Sequence, residues 1–359
     1  MDWVKWKTNN TPFKKIMKTA LYLFVAVILS TATLAQQSGS PYITKSLSKE
    51  NIKEVLAKTS GGGITVQGVT GGEARIEVYI TGNNGRDLTK DEIKQRLEDD
   101  YNLTLTVDGG KLSAIAETKL FNINWKKALS ISFDIYVPQN VSTDLNTSGG
   151  GINLKNLSGT HYFSTSGGGL RLAKLTGHVR GKTSGGSIDV SDSGGEIDLS
   201  TSGGRIEASN CSGAIRLNTS GGPINLQTLD GTIEAETSGG GIRGNAIKGE
   251  LKAHTSGGGV NLSALSCSVK ASTSGGNMDV EINQLGKYVD ISNSGGSISV
   301  RLPGNKGLDL KLRGERIRTT NLNNFSGEQD DNSITGKING GGVPVDIRTS
   351  GHITLALQQ

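Results

Sequence analysis

Two carboxylates are the residues of this sequence best placed to do chemistry. The interval from Asp189 to Glu207 equals the interval from Arg171 to Asp189. If the chain coils with a period equal to that interval, the three side chains stack on one outward face. Carboxyl groups about 5 Å apart are typical of a retaining glycosidase. Polysaccharide cleavage by Asp189 and Glu207 is therefore one hypothesis, although acids on a solvated face are common and Trp125 is the only Trp after residue 35.

The sequence lacks the motifs of other common chemistries. Calcium-binding repeats read Gly-Gly-x-Gly-x-Asp, whereas Gly185–Asp189 has Ile188 where that motif needs Gly. No P-loop, Cys-x-x-Cys, His-Glu-x-x-His or Gly-x-Ser-x-Gly motif occurs. The four histidines are scattered, and His161 falls in an apolar column, which predicts a buried residue rather than a ligand. We therefore predict a protein that is not an enzyme, with no catalytic, metal or cofactor-binding residues.

The two cysteines, Cys211 and Cys267, invite a disulfide in an oxidising compartment. The repeat described below places them three turns apart, which is at least ~14 Å at the spacing of paired strands. A disulfide needs Cα atoms within about 7 Å. The sequence therefore predicts two free, packed thiols.

These candidates take their positions from an internal repeat. Ser-Gly-Gly occurs eleven times, and from Ser148 to Ser274 it recurs with a constant eighteen-residue period. Each unit is numbered here from its Ser as position 0. Ser193 lies nine residues after Ser184, which indicates that a unit has two halves, each with a strand and a corner.

Four positions of each unit are apolar. Positions 4 and 6 alternate with polar residues, as do positions 13 and 15, which is the pattern of half-buried strands. Position 11 is usually Gly, and position 17 is Thr in all seven units. Position 4 is occupied by Ile152, Leu170, Ile188, Ile206, Ile224, Ile242, Val260 and Met278. A flexible Gly/Ser linker would not keep four apolar columns in phase.

The repeat predicts an all-β fold, a single-stranded parallel β-helix in which each regular eighteen-residue turn contains two short strands. One turn is too small to form a core, but stacked turns bury continuous aliphatic columns. Glycines turn the corners, and the handedness rule for parallel crossovers favours a right-handed solenoid.

Two outward columns carry most of the charge. At position 14 the signs alternate from Arg180 to Lys252, so neighbours about 5 Å apart should pair and fix the register. That column reads Tyr162, Arg180, Asp198, Arg216, Glu234, Lys252 and Lys270. At position 5 the column reads Asn153, Arg171, Asp189, Glu207, Asn225, Arg243, Asn261 and Asp279.

The eighteen-residue repeat becomes irregular at both ends, which divides the chain after residue 35 into three segments. Residues 36–146 are predicted to form irregular β turns and a cap, residues 147–301 the regular β-helix, and residues 302–359 looser turns and a second cap. Thr89–Glu92 matches a capping box and predicts a short helix near residues 90–99. Leu103–Val107 and Leu112–Ala116 predict a hairpin. Ile131–Pro138 predicts the strand that leads into the regular turns.

Residues 1–35 have the features of a secretory signal peptide. Lys14, Lys15 and Lys18 precede the apolar run Ala20–Leu29, and small residues precede a cleavage site near Ala35/Gln36. Translation could start at Met1 or at Met17. The sequence thus predicts an extracytoplasmic protein, in the periplasm, on the outer surface or secreted. No segment of the mature chain is long and apolar enough to span a membrane.

The amino-acid composition excludes further classes of protein. Glycine makes up 52 of 359 residues and aromatics only 4%, which argues against a coiled coil or a multi-pass membrane protein. Residues 1–35 hold five of the 38 basic residues and one of the 33 acidic ones, so the mature net charge is +1. A nucleic-acid-binding protein would be expected to carry a basic face, so we expect no nucleic-acid partner.

The sequence resembles the bacterial putative-adhesin family, the DUF4097-type β-solenoid proteins. The resemblance rests on ISFDIYVPQNVSTDLNTSGGGINLKNLSG, on recurrent TSGG-x-I-x-L turns and on the closing GKINGGGVPVDIRTSGHITL, and extends over roughly residues 50–357. It implies an extracytoplasmic, non-enzymatic solenoid, an adhesin or an envelope scaffold, and it implies no catalytic residue.

Three hypotheses follow. The first is an exported adhesin-like structural or interaction protein of the cell envelope, whose long faces bind an unidentified surface, protein or glycan. The second is an envelope-associated sensor or scaffold that binds a partner through residues 67–130. The third is the polysaccharide-cleaving enzyme that uses Asp189 and Glu207.

Overall fold

Successive units of the repeat stack in register in the computed structural model of the protein. Ile206 pairs with Ile224 and Ile224 with Ile242, so equivalent residues lie side by side on parallel strands. The predicted all-β parallel β-helix with one short helix is confirmed. The structure describes residues 39–358 except 72, 84–86 and 120–126, so the predicted signal peptide lies outside the described residues. Residues 41–359 group into one compact unit.

The described residues form 24 strands and one helix. The N-terminal part contains β1 (Ile43–Ser46), β2 (Glu54–Thr59), β3 (Ile64–Val69), β4 (Arg75–Gly82), α1 (Lys90–Asp100), β5 (Tyr101–Asp108), β6 (Lys111–Thr118), β7 (Leu129–Pro138) and β8 (Ser142–Thr147). The regular turns are β9 (Ile152–Thr165), β10 (Leu170–Thr183), β11 (Ile188–Ser191), β12 (Gly194–Thr201), β13 (Ile206–Thr219), β14 (Ile224–Thr237), β15 (Ile242–Thr255), β16 (Val260–Thr273) and β17 (Met278–Asn293). The C-terminal part contains β18 (Ile298–Pro303), β19 (Leu308–Arg313), β20 (Arg316–Thr319), β21 (Phe325–Gln329), β22 (Ser333–Ile338), β23 (Val343–Thr349) and β24 (His352–Gln358).

The bend inside each regular turn differs from the expected glycine corner. Most turns are one continuous 14-residue strand, such as β13, rather than two short strands. The chain bends at position 8, where non-glycine residues adopt φ between 51° and 58°, and the glycine at position 11 also has positive φ. The residues at position 8 are Asn156, Lys174, Asp192, Asn210, Thr228, Ala246 and Ala264. Asn and Asp tolerate this conformation, but Lys, Thr and Ala do not signal it.

Ser193 belongs to this bend and not to a Ser-Gly-Gly corner. It occupies position 9, in the buried column of Leu175 and Cys211. The hydroxyl accepts a 3.0 Å hydrogen bond from the Leu175 amide and donates one of 2.7 Å to the Ser191 carbonyl. A buried serine therefore replaces an apolar side chain, and strand β11 is separated from β12 at this point.

The Ser-Gly-Gly corner needs glycine because neighbouring turns touch there. A Cβ atom added to Gly204 would lie 2.0 Å from the Gly186 carbonyl oxygen, and one added to Gly222 would lie 2.0 Å from that of Gly204. Position 2 therefore excludes any side chain. Close approach of the backbone, rather than an unusual φ, explains this glycine.

The threonines at position 17 bond these corners together. Thr219 is buried, its hydroxyl donates to the Gly204 carbonyl at 2.9 Å, and it accepts from the Gly222 amide at 3.2 Å. Every regular turn repeats this pair of bonds with Thr165, Thr183, Thr201, Thr237, Thr255 and Thr273. The buried hydroxyl is thus satisfied inside an otherwise aliphatic interior.

The N-terminal part is built onto the same stack. Strand β3 pairs with β9 and β2 with β8, so the isolated Ser60 copy lies directly against the Ser148 turn. The hairpin β5–β6 and the helix α1, capped by Thr89 and Glu92, form as expected. Strand β7 pairs with β3 and, antiparallel, with β4.

At the C-terminal end the regular register is lost. The two-residue insertion before Ser294 produces shifts between β16 and β17 around Leu265 and Cys267. Strands β23 and β24 then pair with β17 and β18, and the antiparallel strand β22 lies between β19 and β21.

Candidate functional site: two outward faces of the solenoid

Two outward columns of side chains form two faces of the solenoid, the open face and the paired face. The open face is the position-5 column, formed by Asn153, Arg171, Asp189, Glu207, Asn225, Arg243, Asn261 and Asp279. The paired face is the position-14 column, formed by Tyr162, Arg180, Asp198, Arg216, Glu234, Lys252 and Lys270. Both arise because residues next to the buried positions 4, 6, 13 and 15 must point away from the interior.

The open face continues past the regular turns at both ends. Asn153 pairs with Thr65, Thr65 with Asp134, and Asp134 with Glu77 on strand β4. At the other end Asp279 pairs with Ser299, and Ser299 pairs with Thr354. One outward row of polar side chains therefore extends from β4 to β24 on this side.

Asp189 and Glu207 are neighbours on this face, as predicted. Arg205 lies between them, with Nη2 3.5 Å from Asp189 Oδ1 and 3.3 Å from Glu207 Oε2. Arg171, the predicted neighbour in this column, is the register partner of Asp189 but makes no ion pair among the described residues. The two carboxylate side chains are 40% and 44% exposed, which describes a surface ion pair rather than a general acid held in an apolar pocket. Arg205 was detectable at position 3, the outward position just before the strand.

A second carboxylate pair lies at the N-terminal end of the open face. Glu77 and Asp134 are directly opposed across strands β4 and β7. Glu77 accepts hydrogen bonds from Arg75 at 2.7 Å and from Tyr79 at 3.0 Å, and Arg75 stacks over the Tyr136 ring at 3.8 Å.

Burial alters the acid–base behaviour of Asp134 and of Tyr79 in this cluster. It raises the pKa of Asp134, with Glu77 raising it further and a hydrogen bond from Thr65 lowering it. Burial, then the Glu77 hydrogen bond, raises the pKa of Tyr79 to about 12. The polar side chains of this cluster therefore bond to one another. Sequence reasoning missed it because the pairing of β4 with β7 joins residues that are distant in sequence.

The centre of the open face holds two adjoining depressions. One of about 480 Å³ is lined by Glu207, Asn225, Gln227, Arg243, Asn245 and Asn261. The next, of about 630 Å³, shares Arg243 and Asn261 and adds Asn277, Asp279, Ser299 and Thr354. Both are rich in amides and hydroxyls, and the exposed Arg243 belongs to both.

On the paired face, charges meet in separate pairs. Arg180 Nε lies 3.2 Å from Asp198 Oδ2, and Arg216 Nε lies 2.9 Å from Glu234 Oε2. Lys252 contacts Glu250 of its own strand at 3.6 Å instead of continuing the column. The expected pairing is thus present, but it does not form an unbroken ladder.

Tyr162 begins the paired face. It is 51% exposed, and among the described residues no other large hydrophobic side chain is exposed. It borders a depression of about 310 Å³ together with Asp144, Phe163 and Arg180.

The remaining candidates lie inside the coil. His161 is fully buried, Nδ1 is 3.1 Å from the Thr143 hydroxyl, and burial lowers its pKa to about 4. Cys211 and Cys267 are buried and unbridged, at positions 9 and 11 as predicted. Burial raises the pKa of both thiols, that of Cys267 to about 12, so neither is a nucleophile at neutral pH.

The part of the chain that the structure describes contains no cluster of three or more His, Cys, Asp or Glu side chains that could hold a metal ion. It also contains no helix of the length and apolar character needed to cross a bilayer.

The fold and its faces define a β-solenoid. Residues 242–356 match the family model Toastrack DUF4097, which confirms the predicted resemblance over that segment. No curated protein matches the chain.

Solved structures with some likeness include three bacterial proteins. A putative cell adhesion protein from Clostridium sporogenes ATCC 15579 is 10% identical, with 88% of this chain and 98% of that one covered and a TM-score of 0.20. A putative adhesin from Bacteroides fragilis NCTC 9343 is 13% identical, with 88% and 96% covered and a TM-score of 0.23. A putative lipid binding protein from Parabacteroides distasonis ATCC 8503 is 14% identical, with 89% and 98% covered and a TM-score of 0.27. At these scores the likeness carries no argument about function.

Proposed function

We propose that the protein is an exported, non-enzymatic β-solenoid of the bacterial cell envelope that acts as an adhesin-like interaction protein. The leader sequence supports export. The observation that carries the interaction role is the open face, where Asn225, Arg243 and Asn261 make no side-chain bond within the described chain and border two depressions. Polar groups that the fold itself does not use are available to a partner.

Location and attachment are testable together. Cells that produce the protein are fractionated and treated with an external protease, and their attachment to a surface is compared with that of a deletion strain. The proposal expects a processed chain outside the cytoplasm, and weaker attachment without it. A cytoplasmic, unprocessed chain would contradict it.

A sensor or scaffold role through residues 67–130 is a second candidate, supported by strand β5. This strand pairs only with β6 among the described strands, and Leu103, Leu105 and Val107 are only partly buried. Deleting residues 67–130 would remove β4 to β6, so substitutions are the cleaner test. Lysine in an edge strand opposes strand addition, so Leu103→Lys and Leu105→Lys should abolish partner binding if this region carries it.

The hydrolase hypothesis has its own test. Asp189→Asn and Glu207→Gln are compared with the unmodified protein on a panel of polysaccharides. Our proposal expects no turnover by any of the three. Turnover that both substitutions abolish would overturn the non-enzymatic assignment.

A further inference from the structure

The arginines of the regular turns fall into two groups. Within residues 147–301, all of which the structure describes, Arg180, Arg205, Arg216 and Arg301 each pair with a carboxylate of the chain. Arg171 and Arg243 do not. Both are exposed, and both lie at position 5 on the open face. The guanidinium group is always charged and is suited to bidentate binding of an oxyanion.

Arg243 is flanked by polar side chains that could bind uncharged groups of the same ligand. Its register partners on the adjacent turns are Asn225 and Asn261, whose amides have no bonding partner within the described chain. Position 3 of the turns that hold Arg243 and Asn261 is glycine, Gly241 and Gly259, and carries no side chain. A cation flanked by amide donors and acceptors suits a ligand that carries oxyanions and hydroxyl groups together.

The spacing of the two arginines adds length to the site. They are four turns apart, roughly 19 Å at the distance between paired strands. Between them the single guanidinium of Arg205 pairs with both Asp189 and Glu207. It offsets one of their two negative charges, so an anionic chain along this row meets one net negative charge there instead of two. A long ligand can engage both arginines at once, and the second contact then benefits from a high effective concentration.

We propose that the open face binds an acidic polysaccharide, with Arg171 and Arg243 taking carboxylate or sulfate groups and Asn225 and Asn261 taking sugar hydroxyls. This inference rests on the proposed adhesin function and names its ligand class. The open face offers no exposed large apolar side chain for a lipid surface and no aromatic platform for unpaired bases. A polymer of acidic sugars fits its chemistry best.

The test measures binding of the full mature protein to polygalacturonate, chondroitin sulfate, dextran and phosphatidylglycerol vesicles. Polygalacturonate carries carboxylates alone, whereas chondroitin sulfate carries both carboxylates and sulfates, so binding to chondroitin sulfate alone would show that sulfate is required. Dextran is the neutral control. Monomeric galacturonic acid is measured as well, because it is too short to reach both arginines and should bind more weakly than the polymer. Arg171→Gln, Arg243→Gln and the double variant are compared with Arg180→Gln, which removes the same charge from the paired face. Thermal unfolding confirms that all four variants fold.

We expect binding to at least one acidic polymer and not to dextran. Arg171→Gln and Arg243→Gln should each weaken it roughly 5-fold, the double variant should weaken it more than either, and Arg180→Gln should leave it unchanged. Equal loss in Arg180→Gln, or binding only to vesicles, would overturn the inference. If the protein attaches to cells but binds neither acidic polymer, the inference fails while the adhesin function stands. If it attaches to nothing, the function itself fails.

Discussion

The paired face and the open face belong to the same turns of one solenoid, yet they use charge differently. On the paired face arginines meet carboxylates from the next turn, as Arg180 meets Asp198 and Arg216 meets Glu234. On the open face Arg171 and Arg243 meet none within the described chain, and the amides beside Arg243 are free. A repeat that supplies the same backbone geometry to both columns can therefore pair the arginines of one column and leave Arg171 and Arg243 of the other available.

The difference shows where function can lie in a regular fold. The backbone ladder, the aliphatic columns and the Thr219-type bonds stabilise the coil without help from either surface. Exposed ion pairs contribute little to stability, so neither face is needed for folding. Side chains on the open face can then be arranged for a partner at little cost to the fold.

The largest expected effect on stability comes from a substitution at the Ser-Gly-Gly corner, because both faces depend on this corner. Gly204→Ala places a Cβ atom 2.0 Å from the Gly186 carbonyl oxygen, so adjacent turns must separate. The matched control is Gly203→Ala, whose Cβ would have its nearest neighbour at 3.7 Å. Calorimetry should show a large loss of thermal stability for Gly204→Ala only. Equal melting of the two variants would contradict the close packing of turns.

Acid should lower the stability of the solenoid through the buried His161, which belongs to neither face. His161 has a pKa near 4 when folded, against about 6.5 unfolded. The unfolded chain therefore binds more protons between these values, and stability falls as pH drops from about 6.5 to 4, by about 3 kcal/mol. Denaturant unfolding as a function of pH measures this loss. His161→Val, which matches the register neighbour Val179, should remove that part of the pH dependence, and an unchanged profile would disprove its source.

A smaller effect is expected from the threonine bonds beneath the corners. Thr219→Val keeps the shape but leaves the Gly204 carbonyl and the Gly222 amide without their side-chain partner, which should cost about 1–3 kcal/mol. The exposed Thr232 provides the control substitution, Thr232→Val. Urea unfolding compares the two, and a neutral Thr219→Val would show that these hydroxyls contribute nothing.

The smallest effect is expected on the paired face itself. A double-mutant cycle of Arg180→Gln and Asp198→Asn should give a coupling energy below about 1 kcal/mol. Neither substitution should alter binding of polygalacturonate. A strong effect on binding would place the ligand on this face and would reverse the comparison.

Much of this architecture could be predicted because the repeat is strict. Apolar residues such as Ile206 and Ile224 recur at a fixed spacing, so their stacking, the neighbourhood of Asp189 and Glu207 and the separation of Cys211 from Cys267 all follow. The capping box at Thr89 could also be predicted, because it depends only on residues close in sequence.

Features that depend on contacts between distant residues or on side-chain choice were not predictable. Arg205 rather than Arg171 bridges Asp189 and Glu207, because its position-3 side chain reaches both acids. The positive φ at Lys174 and Ala246 has no signal in those residue types, because stacking of the turns imposes it. The Glu77–Asp134 pair depends on an antiparallel pairing that the repeat does not contain.

Arginine-selective labelling with phenylglyoxal, read by mass spectrometry with and without polygalacturonate and, in parallel, chondroitin sulfate, tests the central claim most directly. The contrast between the faces predicts that at least one of these polymers protects Arg171 and Arg243 from modification, while Arg180 and Arg216 react equally in its presence and absence. Protection of Arg180 and Arg216, or no protection of Arg243 by either polymer, would contradict it.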